Sequence, residues 1–342
     1  MSDARGTTPA NRAAVPVEAG PDAGAPWHYG DPYAEELALE SGGALVDLSH
    51  RPVLRVRGPE RLTWLHALTT QHLSELPPNT WTEALVLSPQ GHVEHHLALV
   101  DDGEQVLAHV EPGTLDALLE YLRSMVFWSE VEPADATAEI AVVRSTAGDR
   151  FVPRADLAAE LAQAPHLAGL WAAEALRVRE GVPRLHLDTD HRTLPAEVGW
   201  VGDAVHLDKG CYRGQESVAH VHNLGRPPRR LVLLQLDGSA THLPAHGDPV
   251  VDAADARTIG FVGTVARDRE LGPIALALVR RTVADGSTVL AGPEDGARVS
   301  ALVETPPAQA AAQQGEPAAA ATVQGWRAAA RQAGRENDDG MT

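Results

Sequence analysis

The densest chemistry in this chain is the run Asp208-Lys209-Gly210-Cys211-Tyr212-Arg213-Gly214-Gln215-Glu216. It packs a cation, a thiol, a phenol, an amide and a carboxylate around two glycines, which permit tight turns and close approach of the backbone to a ligand. If Gly214-Gln215-Glu216 opens a short helix, Cys211 sits just before its positive end, with Lys209 and Arg213 two residues to either side. Helix N-termini and nearby cations both favour thiolate. A lone cysteine in a polar loop is ordinarily a small buried residue; the density of functional groups here points instead to a reactive one. Cys211 is the only cysteine, so no intramolecular disulfide forms and a disulfide-stapled scaffold is excluded.

A second candidate is Leu176-Arg177-Val178-Arg179-Glu180-Gly181-Val182-Pro183, which ends a helix and leads into a long loop. The helix dipole disfavours a carboxylate at that end, so Glu180 calls for another partner. An N–H-rich heterocycle is one, since a carboxylate accepts two parallel hydrogen bonds; bulk water is the alternative. A third segment, Thr193 to Trp200, either lines the same pocket or is a turn. The chain has 16 histidines. His92, His95 and His96 follow a hairpin turn, and His220 and His222 are expected on one strand face. No HExxH or paired-cysteine pattern accompanies them, so no metal site is expected. There is no GxxxxGK[ST] loop, no strand-linked GxGxxG and no GxSxG elbow.

The elements that must hold these residues are mixed. Short strands are predicted at 44–48, 52–56, 81–87, 93–100, 105–110 and 139–143, with a hairpin turn at Ser88-Pro89-Gln90-Gly91. Helices are predicted from Gly58 to Thr69, from Pro112 through Leu122, at 157–162 and from Leu170 to Glu180, the last stopped by Gly181. Residues 182–205 read as a polar loop, a length that is uncommon without a function. From Arg229 the texture becomes strands at 230–236, 248–251, 258–266, 274–279 and 287–290, a compact barrel. The expected organisation is a disordered tail over 1–30, an α+β region of two interleaved subdomains over 31–228, the barrel over 229–304 and a disordered Ala-rich tail over 305–342, in which Trp326 is a residue that could dock.

The formal net charge is −19, which argues against sequence-independent nucleic-acid binding and against an anionic membrane surface. No apolar run approaches the ~18 residues of a membrane span, and the N-terminus lacks the apolar stretch of a secretory signal. The expectation is a soluble, cytoplasmic monomer with an aliphatic core.

Taken together the motifs resemble the YgfZ family, folate-binding relatives of the glycine cleavage T-protein. Lys209 to Glu216 is similar to the family signature KGC[YF]xGQE at every fixed position. Val56-Arg57-Gly58-Pro59-Glu60, with Leu65 and Thr69-Thr70-Gln71, resembles an N-terminal block in which Glu60 and Gln71 replace aspartates. Leu176 to Pro183 resembles the R-x-E-x-G-x-P block, and Ile259-Gly260-Phe261-Val262-Gly263 with Leu276 to Val279 the C-terminal barrel. The resemblance implies an α+β, T-protein-like fold of three subdomains around a folate channel. It also implies tetrahydrofolate, or a derivative, as ligand, and a role in making or repairing iron–sulfur clusters in client enzymes, including radical enzymes that modify tRNA. Glu180 would hold the pterin and Cys211 would be the critical thiol; Arg179, Trp200, Lys209, Tyr212, Gln215 and Glu216 are expected to complete the folate site. Two departures weigh against ordinary aminomethyl transfer. The T-protein's hairpin aspartates become His95 and His96, and its D-F-x-G-R-E block becomes Cys211 to Glu216. The alternatives are a folate-dependent one-carbon transferase with His95 or His96 as base, and a scaffold that binds no folate.

Overall fold

The computed structural model describes residues 13–224 and 227–313. A ribbon of β1 (Val15–Pro16) and β2 (Pro26–His28) leads into α1 (Pro32–Glu40). Next come β3 (Ala44–Asp47), β4 (Val53–Arg57), α2 (Arg61–Leu68), β5 (Trp81–Leu87), β6 (Val93–Asp101) and β7 (Gln105–His109). The chain continues through α3 (Leu115–Ser124), β8 (Glu132–Asp135), β9 (Ile140–Ser145), β10 (Gly148–Pro153), α4 (Leu157–Gln163), β11 (His166–Ala168) and α5 (Leu170–Glu180). After the long loop come α6 (Gln215–Leu224), β12 (Arg229–Leu236), β13 (Pro249–Asp252), β14 (Thr258–Asp268), β15 (Gly272–Arg280), β16 (Thr288–Ala291), β17 (Val299–Glu304) and α7 (Pro307–Gln313).

These strands make a five-stranded sheet of order β5-β6-β7-β4-β8, a four-stranded sheet of order β10-β9-β3-β11 and a closed barrel β12-β15-β14-β13-β16-β17. The five-stranded sheet is nested in sequence inside the four-stranded one, because the chain leaves the latter after β3 and returns at β9. Helix α3 covers the larger sheet with Leu115, Leu118, Leu119 and Leu122, a spacing that puts all four on one face.

The barrel is filled by alternate residues such as Val232, Leu234, Val250, Ala275, Ala277 and Val303. The intervening Leu231, Leu233, Ile274, Leu276 and Leu278 pack outward against the central body. This two-sided burial explains why Ile274 to Val279 carries no polar residue. Helix α5 runs between two cores: Ala175 and Val178 belong to one, Ala172, Ala173 and Leu176 to the other. Its small side chains let both sides approach. It ends at Gly181, which has φ +79°, and a Cβ there would lie 2.1 Å from Pro306 Cβ, so conformation and space both require glycine.

Several expectations are corrected. The N-terminal segment is ordered from Ala13: it contributes β1, β2 and Asp22, which is buried in an ion network. Low apolar content hid this, because the segment is held by the Asp22 ion pairs together with a few scattered apolar contacts, Val17, Ala25 and Trp27, rather than by a periodic apolar face. The C-terminal segment begins with α7, whose Gln309 donates to the Val198 carbonyl at 2.7 Å; the rest of that expectation, Trp326 included, lies outside the described residues. His220 and His222 sit on a helix, α6, rather than on a strand, so a two-residue spacing separates them around its axis. Helix α1 and strands β8, β10, β11 and β17 were not anticipated.

Candidate functional site

The central pocket forms where the five-stranded sheet faces the end of α5. Ala98 on β6 pairs with Glu83 on β5 and with His109 on β7, so Glu83, Ala98 and His109 form a row across three strands. His96 lies two residues along β6, on the same face by strand alternation. The remaining walls are Arg51, Glu111, Arg144, Gly148, Asp149, Arg177, Glu180, Val182, Pro183 and Arg184. The cavity is about 80 Å³ and partly open to solvent. That is room for several waters, or for the edge of a flat ring.

Most charges in these walls are spent on one another. Arg184 donates to Asp22 at 2.8 and 2.9 Å and to Glu111 at 2.6 Å, and Arg177 to Glu174 and Asp188, both at 2.7 Å. Gly263 makes room for this, since a Cβ there would lie 2.4 Å from Asp188 Oδ1. Arg144 grips Asp149 at 2.6 and 2.8 Å, and Asp149 in turn accepts from His109 Nε2 at 2.9 Å. Burial raises the Glu111 carboxyl, but Arg51 and Arg184 overcome that and hold it at about 2. Burial likewise lowers the His109 imidazole despite its partner Asp149. These groups form a buried, mutually neutralised frame.

Glu180 differs. It is half-buried at the last position of α5, and its ion pair to Arg179 Nε is long, at 3.7 Å. Burial raises its pKa, with Arg179 only partly opposing. It is thus a carboxylate in a pocket wall with hydrogen-bonding capacity to spare.

The other predicted residues fall into distinct places. Arg179 points away from the pocket, to Glu40 at 2.6 Å and Asp268 at 3.3 Å. It ties α5 to α1 and to the barrel. Trp200 is buried beneath His96, rings stacked at 5.0 Å and 19°, so it reaches the pocket through that imidazole. Lys209 drives its ammonium into a cage of carbonyls from His66, Thr69 and Gln71. Burial lowers it to about 8, and its Nζ lies 5.2 Å from the Tyr212 ring centroid. Tyr212 is packed in the central core, and burial pushes its phenol up to about 12. Gln215 reaches back to the Lys209 carbonyl at 3.4 Å, while Glu216 is exposed at the start of α6.

Cys211 is exposed at the apex of this loop. The loop is anchored on both sides: Lys209 and Tyr212 point inward, and Arg213 pairs with Glu94 at 3.0 Å. It also meets the β5–β6 turn through facing glycines. A Cβ on Gly214, at φ +84°, would lie 2.6 Å from the Ser88 carbonyl oxygen; one on Gly91, at φ +81°, would lie 2.7 Å from Ser217 Cβ. The loop therefore works as a pedestal that displays one thiol. His95 and His96 separate: His96 faces the pocket, whereas His95 is buried elsewhere, lowered to about 4 chiefly by burial.

The sequence reading missed Arg51, Glu83, His109, Glu111, Arg144, Asp149 and Arg184. Several alternate with apolar strand residues, a pattern that equally describes a solvated face. Among the described residues no group of three or more His, Cys, Asp or Glu is placed to hold a metal ion, and no helix is long and apolar enough to cross a membrane.

No protein-family model matches the chain. Over 121 residues it is 31% identical to an aminomethyltransferase of Nitrosococcus oceani, a match that spans 34% of this chain and 33% of that protein. Over 241 residues it is 25% identical to a mitochondrial homologue of the iron–sulfur cluster assembly factor IBA57 from Mycosarcoma maydis, covering 59% of each chain. The structure aligns with the glycine cleavage system aminomethyltransferase T of Bartonella henselae at a TM-score of 0.71 and 18% identity, over 84% of this chain and 92% of that one. The chain therefore has the T-protein fold, mixed α and β with a six-stranded C-terminal barrel.

Proposed function

We propose that this protein binds a reduced folate at the central pocket and, in the manner of the YgfZ family, serves iron–sulfur cluster assembly or repair in client enzymes through Cys211. Glu180 carries the reading: a half-buried carboxylate in a pocket wall, set among charges that already neutralise each other. Its two oxygens suit the paired N–H donors of a pterin edge. The cavity admits the edge of a bicyclic ring, and the remainder of a folate would extend through the open side. When bound, the folate supplies a one-carbon carrier or a reducing centre. The chain's own residues orient the ring, exclude water behind it and present the thiol outside. Of the residues expected at the folate site, Glu180 lines the pocket and Trp200 meets it through His96, whereas Arg179, Lys209, Tyr212, Gln215 and Glu216 are not among its walls.

A single cysteine cannot hold a cluster alone, because clusters usually take four thiolates. Cys211 would act by thiol exchange or as one ligand shared with a client. The similarity to the Mycosarcoma maydis protein favours this role; radical enzymes that modify tRNA are the proposed clients, and a cytoplasmic monomer the proposed form.

Anaerobic calorimetry with tetrahydrofolate tests the pocket. Micromolar binding, weakened at least tenfold (about 1.4 kcal/mol) by Glu180→Ala, is expected; absence of binding to the wild type removes folate from the account. Cys211→Ala should fail to complement a deletion strain, and full rescue would exclude the thiol role. A folate-dependent one-carbon transferase is the second reading, favoured by the position of His96 in the pocket. Turnover of an aminomethyl donor with tetrahydrofolate would establish it.

A further inference from the structure

We infer that His96 is the proton acceptor of the central pocket, and that Glu83 and Trp200 are the positioning residues that hold it in that role. The inference rests on the central pocket being the ligand site, and deepens that reading.

Two imidazoles face the pocket, and their surroundings give them different work. His109 and its partner Asp149 are both almost wholly buried, at 3% side-chain exposure each. Arg144 also grips Asp149, so protonating His109 would add charge to a frame that is already satisfied. His96 and Glu83 keep 16% and 21% of their side-chain surface exposed, at the pocket. His96 Nε2 lies 2.9 Å from Glu83 Oε2. An ionised carboxylate only accepts hydrogen bonds, so Nε2 carries the hydrogen, and in the neutral ring Nδ1 is then left with a lone pair. Burial raises the Glu83 carboxyl, but the charge of a protonated His96 and its hydrogen bond outweigh it, so the carboxylate favours the imidazolium once it forms.

The ring's plane is fixed as well as its tautomer. Trp200 lies flat against it and is itself pinned by its backbone N–H on the Pro195 carbonyl at 3.1 Å. Next along β6 on the same face is Ala98, which adds only a methyl group to the floor beside the imidazole. The other charged groups lining the pocket are Arg51, Glu111, Arg144, Asp149, Arg177, Glu180 and Arg184. The step assigned is a simple proton transfer: a protonated amine or ring nitrogen of the bound ligand gives its N–H proton to His96 Nδ1 and keeps the electron pair. The resulting imidazolium is stabilised by Glu83. The proton then leaves through the open side to solvent, and no other bond changes.

Two measurements test this. In ligand-free, 15N-labelled protein, ring correlations assigned by their loss in His96→Gln should show the Nε2–H tautomer. Glu83→Ala, which removes the acceptor of the Nε2 hydrogen, should let the two tautomers mix. An Nδ1–H tautomer in the wild type, or an Nε2–H preference that Glu83→Ala leaves in place, overturns the proposal. Calorimetry of tetrahydrofolate binding in two buffers of different ionisation enthalpy then counts protons. The wild type should exchange about one proton with the buffer as the ligand binds, and His96→Gln should not; equal counts also overturn it. If the wild type binds no folate, the proposed function falls and the tautomer measurements decide the dyad on their own.

Discussion

Glu36 offers the sharpest quantitative test of how the subdomains are joined. It is fully buried on α1, and both carboxylate oxygens accept the Arg269 backbone N–H at 3.2 Å, just beyond the end of β14. Asp268, also buried, is its neighbour. Burial, reinforced by Asp268, raises Glu36 from 4.5 to about 7. The folded state therefore binds a proton that the unfolded state has released. The associated stability is fully present below about pH 4.5 and is lost as pH rises through 7. Integrated between pH 5 and pH 8, the loss is about 2.5 kcal/mol, at 1.36 kcal/mol per unit. Glu36→Gln keeps an acceptor for Arg269 and a donor for Asp268 but does not titrate. Urea denaturation of both proteins at pH 5 and pH 8 isolates the effect, because every other titrating group cancels in the double difference. The wild type should lose about 2.5 kcal/mol relative to the variant over that interval. A double difference below about 0.5 kcal/mol would show that Glu36 is ionised throughout, and that α1 meets the barrel as an ordinary ion-paired surface.

Other perturbations probe the frame and the thiol loop. Arg184→Met leaves Asp22, Glu111 and Glu174 without their shared guanidinium; a loss of about 3–5 kcal/mol in urea denaturation is expected for breaking a buried pair. Gly214→Ala meets both an unfavourable φ and the Ser88 carbonyl; a loss of about 1–3 kcal/mol is expected. The same substitution should change the rate at which Cys211 reacts with a disulfide reagent, whereas a substitution at exposed Glu216 should leave both unchanged.

The parts legible in the sequence were those written in local pattern. The leucine spacing of α3, the α5–Gly181 stop and the β5–β6 hairpin are short-range signals, and they appear where the periodicity put them. The thiol loop was legible for a related reason: its glycines and charged residues are adjacent in the chain, and a short helix opening there was a condition of the reading, although its extent through His220 and His222 was not. The pocket's frame was not legible. Asp22 and Arg184 lie 162 residues apart and Arg184 and Glu111 73 apart, and nothing local distinguishes a buried arginine from a solvated one. Lys209 shows the same limit from the other side. Its position in the motif suggested a ligand contact, yet its ammonium is consumed by three backbone carbonyls that only the folded chain brings together.

The β5–β6 hairpin links the two chemical features of the molecule. Its face carries Glu83 and His96 to the pocket, while its turn, through Ser88 and Gly91, clasps Gly214 and Ser217 in the thiol loop. Arg213 adds a second tie to Glu94 on the same strand. Trp200 adds a third, since it stacks on His96 and shares a core with Tyr212, the residue after Cys211. A ligand that shifted His96 would press first on Trp200, which shares a core with the inward anchor of the thiol loop. Packed interiors transmit such displacements because they are dense and poorly compressible. The pocket wall and the thiol loop are thus tied to one hairpin, and the glycines at 91 and 214, which resemble loop filler when read singly, are the points at which hairpin and loop touch.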